Sequence, residues 1–567
     1  MYRKILALFL ILALLTSCSS ASTEEQLDSS ESISEESLVA VSELDRENTL
    51  EVFVVGMPVS WGDEGNYHTT MYQMGDLGSN AYTWGEQGHI YYTELNNYQK
   101  ESTLDVRITY GQSDGLWNYL LDGNAPDLIV SDTRADIAEL MAQGEFLDLL
   151  PYFDKDGIYE SGDYVNQVLE AGLYLDHQYV FPLTFTMNAL FTSKQSLARH
   201  DLMLNSDYTF DDMVNTFTTA YRDAENTDDK HFLTSTAKGS AQSTAYEIFS
   251  MSGGQAAYNP KTGKVVLDKD YFKQMAELYE AFVCYDFNMS LDEIRVAAEQ
   301  ESLERASSAE SRGLPKEEIE ATKNYKYLNA RESNSRYCRL FYSGAMISQR
   351  FELTRNAFAC VSDAGDTMGI MGSTLTQAYY YESRYTDAEE DFMIIGIPEK
   401  EDPESYSATI TMFGVIPSGA VHPDEAYELL KTLADADIVP LLGMSVNRDR
   451  LYASFDYFTS TYYDYYGLQM PDMEDKIEMG AEYQVKPMSN ETSEYLQYMV
   501  ENIDHVVLPH SDEFKIIQNA VEKYIFDYDF TLDDAYDMAV SNLELYYSGT
   551  LTPEEEYTLV WNTEYPY

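Results

Sequence analysis

Strand-like and helix-like stretches alternate along this chain, an order that predicts an α/β fold with a mostly parallel sheet. Three stretches carry the reading. Leu50 to Gly56 is a β-branched and aromatic run, and Leu104, Val106, Ile108 and Tyr110 alternate with polar residues, so both read as strands. Pro126-Asp127-Leu128-Ile129-Val130 is a short apolar strand closing at Ser131-Asp132, preceded by a short helix candidate between Leu116 and Leu121. Strand, helix, strand is the unit of a parallel sheet, whose ligands gather where the strands end. Asp132 and Arg134 lie at such an end.

Further along, Ile137, Leu140 and Met141 share a helical face, and Gly144 supplies a left-handed stop. Gln178 to Lys194 and Thr409 to Pro417 are apolar and extended. Pro423 opens a helix with Ala426, Leu429, Leu430 and Leu433 on one face. Thr531 and Asp534 cap another, and Ser290 with Glu293 and then Pro315 begin two charged helices across 290–328, a stretch that reads as a solvated insertion. There is no internal repeat of fixed period.

The chain has 567 residues, enough for two or three cores. Its 36 Lys+Arg against 97 Asp+Glu give a net charge of −61. That balance repels phosphates and excludes nucleic acid as a partner. The 44% hydrophobic content rules out an acidic disordered tail. The 48 Tyr offer rings that stack on a ligand and hydroxyls that bond to it. No Cys-x-x-Cys and no His-Glu-x-x-His occurs, so no zinc and no other cofactor is expected. Beyond Cys18, the cysteines are Cys284, Cys338 and Cys360, an odd number that implies no disulfide scaffold.

Met1 to Lys4 is a charged start, and Ile5 to Leu15 is an apolar run too short to cross the ~30 Å of a bilayer core, so it reads as a secretion signal. Leu15-Thr16-Ser17-Cys18 resembles a bacterial lipobox. The resemblance implies cleavage after residue 17, a lipid (diacylglyceryl and palmitate) on Cys18, and anchorage on the outer face of the cell membrane. Residues 18–47 are Ser/Glu-rich and read as a flexible tether.

Several segments in order resemble the family 1 extracellular solute-binding proteins, receptors of ABC importers related to maltose-binding protein. They are Gly123 to Val130, Ala142 to Leu149, Phe181-Pro182 through Phe191, Ser252-Gly253-Gly254, Tyr342 to Met346, Phe413 to Ser418, His422 to Ala426 and Ser445 to Arg448. The resemblance implies a two-lobed periplasmic-binding-protein-like clamp of type II, with hinge strands crossing between lobes that close on ligand. The expected division is a first lobe over 48–182, a second over 183–411 with the 290–328 insertion, a return to the first over 412–447, and a Tyr-rich helical segment, 448–567, packed on the second. Length is where the chain departs from the family.

On this pattern the expected partners are a carbohydrate, an oligosaccharide first, and the transmembrane subunits of an ABC permease, with the receptor a monomer. Trp61 falls at the cleft mouth, Asp132 and Arg134 after the third strand, Thr184, Thr186 and Asn188 on the first crossover, Phe413 on the second, and Gln349 and Arg350 where the family often has an aromatic. Trp61 and Phe413 are expected to stack on a sugar, and the carboxylate, amide and guanidinium groups to bond its hydroxyls.

Rival readings remain. A peptide receptor of the same fold is the nearest. Gly111-Gln112-Ser113-Asp114-Gly115 matches the elbow of serine hydrolases, with Ser113 as nucleophile, but no histidine sits in a recognisable triad motif. His505 and His510 suit a metal site poorly, and Asp154, Asp156, Gly157 and Glu160 echo a calcium loop without its Gly at the sixth position. No enzymatic activity is expected.

Overall fold

The computed structural model describes residues 46–560 except 56–68, 72–91, 112–119, 121–123, 133–139, 142–143, 188, 200–207, 224–230, 235–256, 260–261, 325, 329–355, 362–373, 388, 401, 437–442, 461–462, 465–483, 508–510, 549 and 552–558. Cys18 and the signal and tether residues thus lie outside the described residues. No described helix is long and apolar enough to cross a membrane.

The first sheet starts as the sequence predicts. β1 (Thr49–Val55), β2 (Thr69–Met71), β3 (Asp105–Gly111) and β4 (Leu128–Asp132) pair in parallel, and α1 (Tyr92–Glu101) connects back into β3. β1 lies between β3 and β4, and all but one of its seven residues are buried, so both its faces are covered, which is why it reads as a continuous apolar run. After α2 (Leu150–Asp156) and α3 (Asn166–Glu170), a hairpin of β5 (Leu173–Tyr174) and β6 (His177–Gln178) leads to β7 (Phe181–Met187). β7 belongs to the first sheet, while β8 (Ala189–Ser193) belongs to a second. The chain therefore passes from one sheet to the other between Met187 and Ala189.

The second region is mainly helical. It comprises α4 (Lys194–Arg199), α5 (Phe210–Asp223), β9 (His231–Thr234), the hairpin of β10 (Tyr258–Asn259) and β11 (Lys264–Val265), α6 (Lys269–Phe287), α7 (Leu291–Ser311) and α8 (Lys316–Asn324). Then come β12 (Asn356–Val361), α9 (Thr374–Asp387) and β13 (Phe392–Gly396), which completes a sheet ordered β13-β8-β12-β9. The 290–328 insertion is not a solvated appendage. Ile294, Ala298, Ser302, Ala306 and Ala309 form a buried stripe on α7, and Arg295 donates to the carbonyl of Tyr524 at 2.8 Å.

β14 (Tyr406–Val415) returns to the first sheet, and every one of its ten residues is buried. α10 (Pro423–Ala434) buries the face read from the sequence, Ala426, Leu429, Leu430 and Leu433. β15 (Met444–Ser445), α11 (Arg448–Ser460), a pair of β16 (Tyr463–Asp464) and β17 (Gln484–Val485), α12 (Asn490–Glu501) and β18 (Ile503–Val507) follow, and α13 (Ser511–Phe526) and α14 (Leu532–Tyr547) close the chain.

The expected boundaries shift accordingly. Thr184 to Met187 and Tyr406 to Thr411 stay in the first sheet. The 448–567 segment divides: Leu451, Phe455, Leu496 and Ile503 enter the first core, while α13 and α14 bury Ile516, Val521, Ala535 and Leu543 in the second. An unpunctuated apolar strand gives no sign of which sheet it joins.

Asp127 ties the amino-terminal edge of the first sheet. Its side chain is fully buried and accepts from Glu51 N at 2.9 Å, Val421 N at 2.6 Å and the Arg46 guanidinium at 3.1 Å. Burial raises the Glu51 carboxyl above its ordinary value, with Arg46 opposing and Asp127 adding to the shift.

Candidate functional site

The strands β1, β3 and β4 end at Val55, Gly111 and Asp132 on one edge of the first sheet, because their pairing is parallel throughout. β14 runs the other way, and Met412 stands opposite Asp132. Toward the start of β14, Tyr406 to Thr409 pair with β18 in parallel. The carboxyl ends of β4 and β18 thus approach each other from opposite directions across Thr409 to Met412. This is the junction of the two regions, since β18 ends at Val507 and α13 begins the second core four residues later.

The chain passes between the regions after Met187, after Gly396 and after Val507. The first two lie side by side, because Gly396 pairs with Ala189. The Tyr495 hydroxyl accepts from Gly396 N at 3.2 Å, and the Tyr208 hydroxyl donates to the Gly396 carbonyl. A Cβ at Gly396 would stand 2.5 Å from the Tyr406 ring, so only glycine fits between the phenols. Burial, and the neighbouring phenols with it, raise the Tyr208 and Tyr406 hydroxyls above their ordinary range. Sequence reasoning missed this cluster, since its tyrosines are scattered among 48 and carry no spacing signal.

The expected site residues fall into three groups. Trp61, Arg134, Asn188, Gln349 and Arg350 lie outside the described residues. For Asp132 the structure describes the backbone, at the carboxyl end of β4. Thr184, Thr186 and Phe413 are described, and they differ from expectation. Thr184 Oγ1 pairs with Thr411 Oγ1 at 2.7 Å, and Thr186 Oγ1 with Thr374 Oγ1 at 2.9 Å, so both hydroxyls join protein segments. Phe413 is 0% exposed within the first core and presents no open ring face. A strand covered on both faces buries its polar and aromatic residues alike, which sequence position does not disclose.

Gly111 has a packing reason of its own, since a Cβ there would come within 2.6 Å of the Phe53 ring. Ser113, the nucleophile of the hydrolase reading, lies outside the described residues. Asp156 is ion-paired to Lys431 at 2.7 Å, and Gly157 is the left-handed cap of α2. Among the described residues no group of three or more His, Cys, Asp or Glu could hold a metal ion.

No protein-family model matches the chain, and no curated protein matches it by sequence. Solved structures are similar to it in fold. One is the galacto-N-biose/lacto-N-biose I-binding protein of an ABC transporter from Bifidobacterium longum, at 11% identity and TM-score 0.47, covering 89% of this chain and 98% of that one. Another is an ABC substrate-binding protein from Listeria monocytogenes in complex with cycloalternan, at 12% identity and TM-score 0.44, covering 88% and 98%. A third is a family 1 extracellular solute-binding protein from Alicyclobacillus acidocaldarius, at 12% identity and TM-score 0.43, covering 88% and 98%.

Proposed function

We propose that this chain is the substrate-binding component of an ABC importer. It takes a carbohydrate, an oligosaccharide first, between its two cores and delivers it to a permease while held on the outer face of the membrane by lipid on Cys18. The observation that carries the reading is the pair of adjacent passages between two α/β regions, after Met187 and after Gly396, beside the carboxyl ends of parallel strands. Such crossings let two rigid bodies rotate with little repacking, and a ligand touching both bodies shifts them toward the closed form. The ordered series of family-like segments supports the same reading.

In the proposed site Trp61 stacks on a sugar face, and Asp132, Arg134, Asn188, Gln349 and Arg350 bond its hydroxyls. Thr184, Thr186 and Phe413 act by holding the crossing strands together.

The test is thermal unfolding against a panel of oligosaccharides and peptides, with the recovered ligand weighed by mass spectrometry. Ligand at 100 times its Kd stabilises by about 2.7 kcal/mol, a shift of roughly 1–3 °C for a chain this long. A shift with one glycan class, recovered intact, is the expected result. A response to peptides alone would make it a peptide receptor, and a cleaved glycan an enzyme. The double variant Trp61→Ala, Asp132→Ala is expected to lose at least tenfold in sugar affinity, in line with ~1.5–3 kcal/mol for one bond to a charged group. Affinity held within twofold would move the site elsewhere.

A further inference from the structure

The turn between β5 and β6 breaks the rule for its own geometry. Tyr174 pairs with His177, which leaves Leu175 and Asp176 as a two-residue loop, and both have positive φ, 46° and 66°. That is the type I′ turn, for which Asn-Gly is the favoured pair. Asp tolerates the left-handed region, whereas Leu seldom enters it. A local preference overruled in this way points to a role outside the hairpin.

The role is visible at its tip. The hairpin packs on the first core through Tyr174, yet it touches the β10–β11 turn of the second. Gly263 there, at φ 66°, leaves room for the visitor, since a Cβ on it would stand 3.3 Å from Leu175 Cδ2. The hydroxyls of Tyr258 and Tyr174 are 3.3 Å apart. Tyr258 lies flat on Tyr547, with ring centroids 3.7 Å apart and planes 9° from parallel. Tyr547 in turn donates to Glu513 Oε2 at 2.7 Å, and Glu513 Oε1 accepts from Ala257 N at 2.8 Å. A chain of contacts thus runs from the hairpin tip of one core to a buried carboxylate of the other, and the hairpin and the β10–β11 turn that make it are continued by none of the crossings.

We propose that the Tyr174 to Asp176 tip is a latch that holds the two cores in the arrangement of this structure, with Leu175 as its knob and the Gly263 turn and the Tyr258–Tyr547 stack as its seat. The left-handed Leu persists because an Asn there would suit the turn and forfeit the contact. The latch concerns the cores themselves, so it stands or falls without reference to the cargo.

Leu175→Asn tests it, because Asn suits a type I′ turn and removes only the knob. On the intact chain, the amides of Gly263 and Val266, which donate to Asn259 and Ala257 carbonyls, are expected to exchange with deuterium at least tenfold faster. The amides of Leu149 and Val180 keep their rates, and small-angle scattering gives a larger maximum dimension. Leu175→Met, which keeps the knob, leaves all three as in the parent. Unchanged exchange at 257–266 overturns the latch. So does faster exchange with unchanged scattering, which reduces the contact to local packing, and so does a Met variant that behaves like Asn.

Discussion

The two cores bury polar groups by different means. In the first, one carboxylate, Asp127, gathers the backbone N–H groups of Glu51 in β1 and of Val421 and His422 just ahead of α10, together with Arg46. In the second, the carboxylates on α13 turn mainly to side chains: Glu513 accepts from Tyr547 beside the one backbone N–H of Ala257, and Glu522 from Gln518 at 2.8 Å and Tyr279 at 3.4 Å. The contrast bears on the 48 tyrosines. With 97 acids and 36 Lys+Arg, many carboxylates have no cation to meet, and a phenol is a neutral donor that also packs. Tyr152 with Asp424, Tyr164 with Asp435 and Tyr524 with Glu280, at 2.7, 2.8 and 2.6 Å, follow this pattern across both cores.

The largest expected effect breaks the first arrangement. Asp127→Ala leaves three N–H groups without their acceptor, while Arg46 keeps Glu51 and the Ala125 carbonyl, a loss of about 3–5 kcal/mol at ~1–3 kcal/mol for each buried group left unsatisfied. A urea titration that follows β-sheet and helix signals separately checks it. The sheet signal is expected to fall first. A loss under about 1 kcal/mol would mean that the N–H groups find water instead.

Next comes the helix-to-sheet seam of the same core. A Cβ on Gly414 would stand 2.1 Å from Leu430 Cδ2, so Gly414→Ala is expected to cost about 1–3 kcal/mol by overpacking. Combined with Leu430→Ala, the loss should be smaller than the two single losses summed, because the two positions share one space. Strictly additive losses would show that α10 shifts as a body instead.

These effects fall where the sequence was both clear and blind. Alternation at Leu104 to Tyr110 and the apolar run at Leu50 marked β3 and β1, and the spacing of Leu429, Leu430 and Leu433 marked the buried face of α10. Asp127 was visible only as part of a strand motif, since the groups it gathers come from positions 46, 51 and 421–422. The passage between Met187 and Ala189 lies inside an apolar stretch that no Gly punctuates. For the site, the end of β4 at Asp132 was legible because strand ends are. Which face Thr184, Thr186 and Phe413 occupy was not, because both faces of β7 and β14 are covered.

A smaller effect probes the second core alone. Thr531 and Asp534 form a reciprocal capping box at the start of α14, as do Ser290 and Glu293 at α7. Thr531→Ala is expected to cost about 1 kcal/mol. It should lower the helix signal's midpoint and leave the sheet's in place. A matching drop in both would show that the cores unfold as one unit.

The mildest test uses alkali, and it separates the cores by which proton each loses first. In the second core, burial and then Glu280 push the Cys284 thiol up to about 11 from an ordinary 9.0. In the first, burial followed by the bonds to Asp424 and Glu501 pushes the phenols of Tyr152 and Tyr452 up to about 12 from 10.0. All three titrate higher folded than unfolded, so the folded chain holds protons that the unfolded chain has released. Their contribution is complete below the ordinary value and is lost as pH rises through the folded one. The second core is therefore expected to weaken between pH 9 and 11, and the first between 10 and 12. Unfolding midpoints of the helix and sheet signals, read with phenolate absorbance at 295 nm, give the order. Cys284→Ala should delay the helical loss and leave the phenolate curve unmoved, whereas a common onset in both signals would mean that the phenols of the two cores govern alkaline unfolding together.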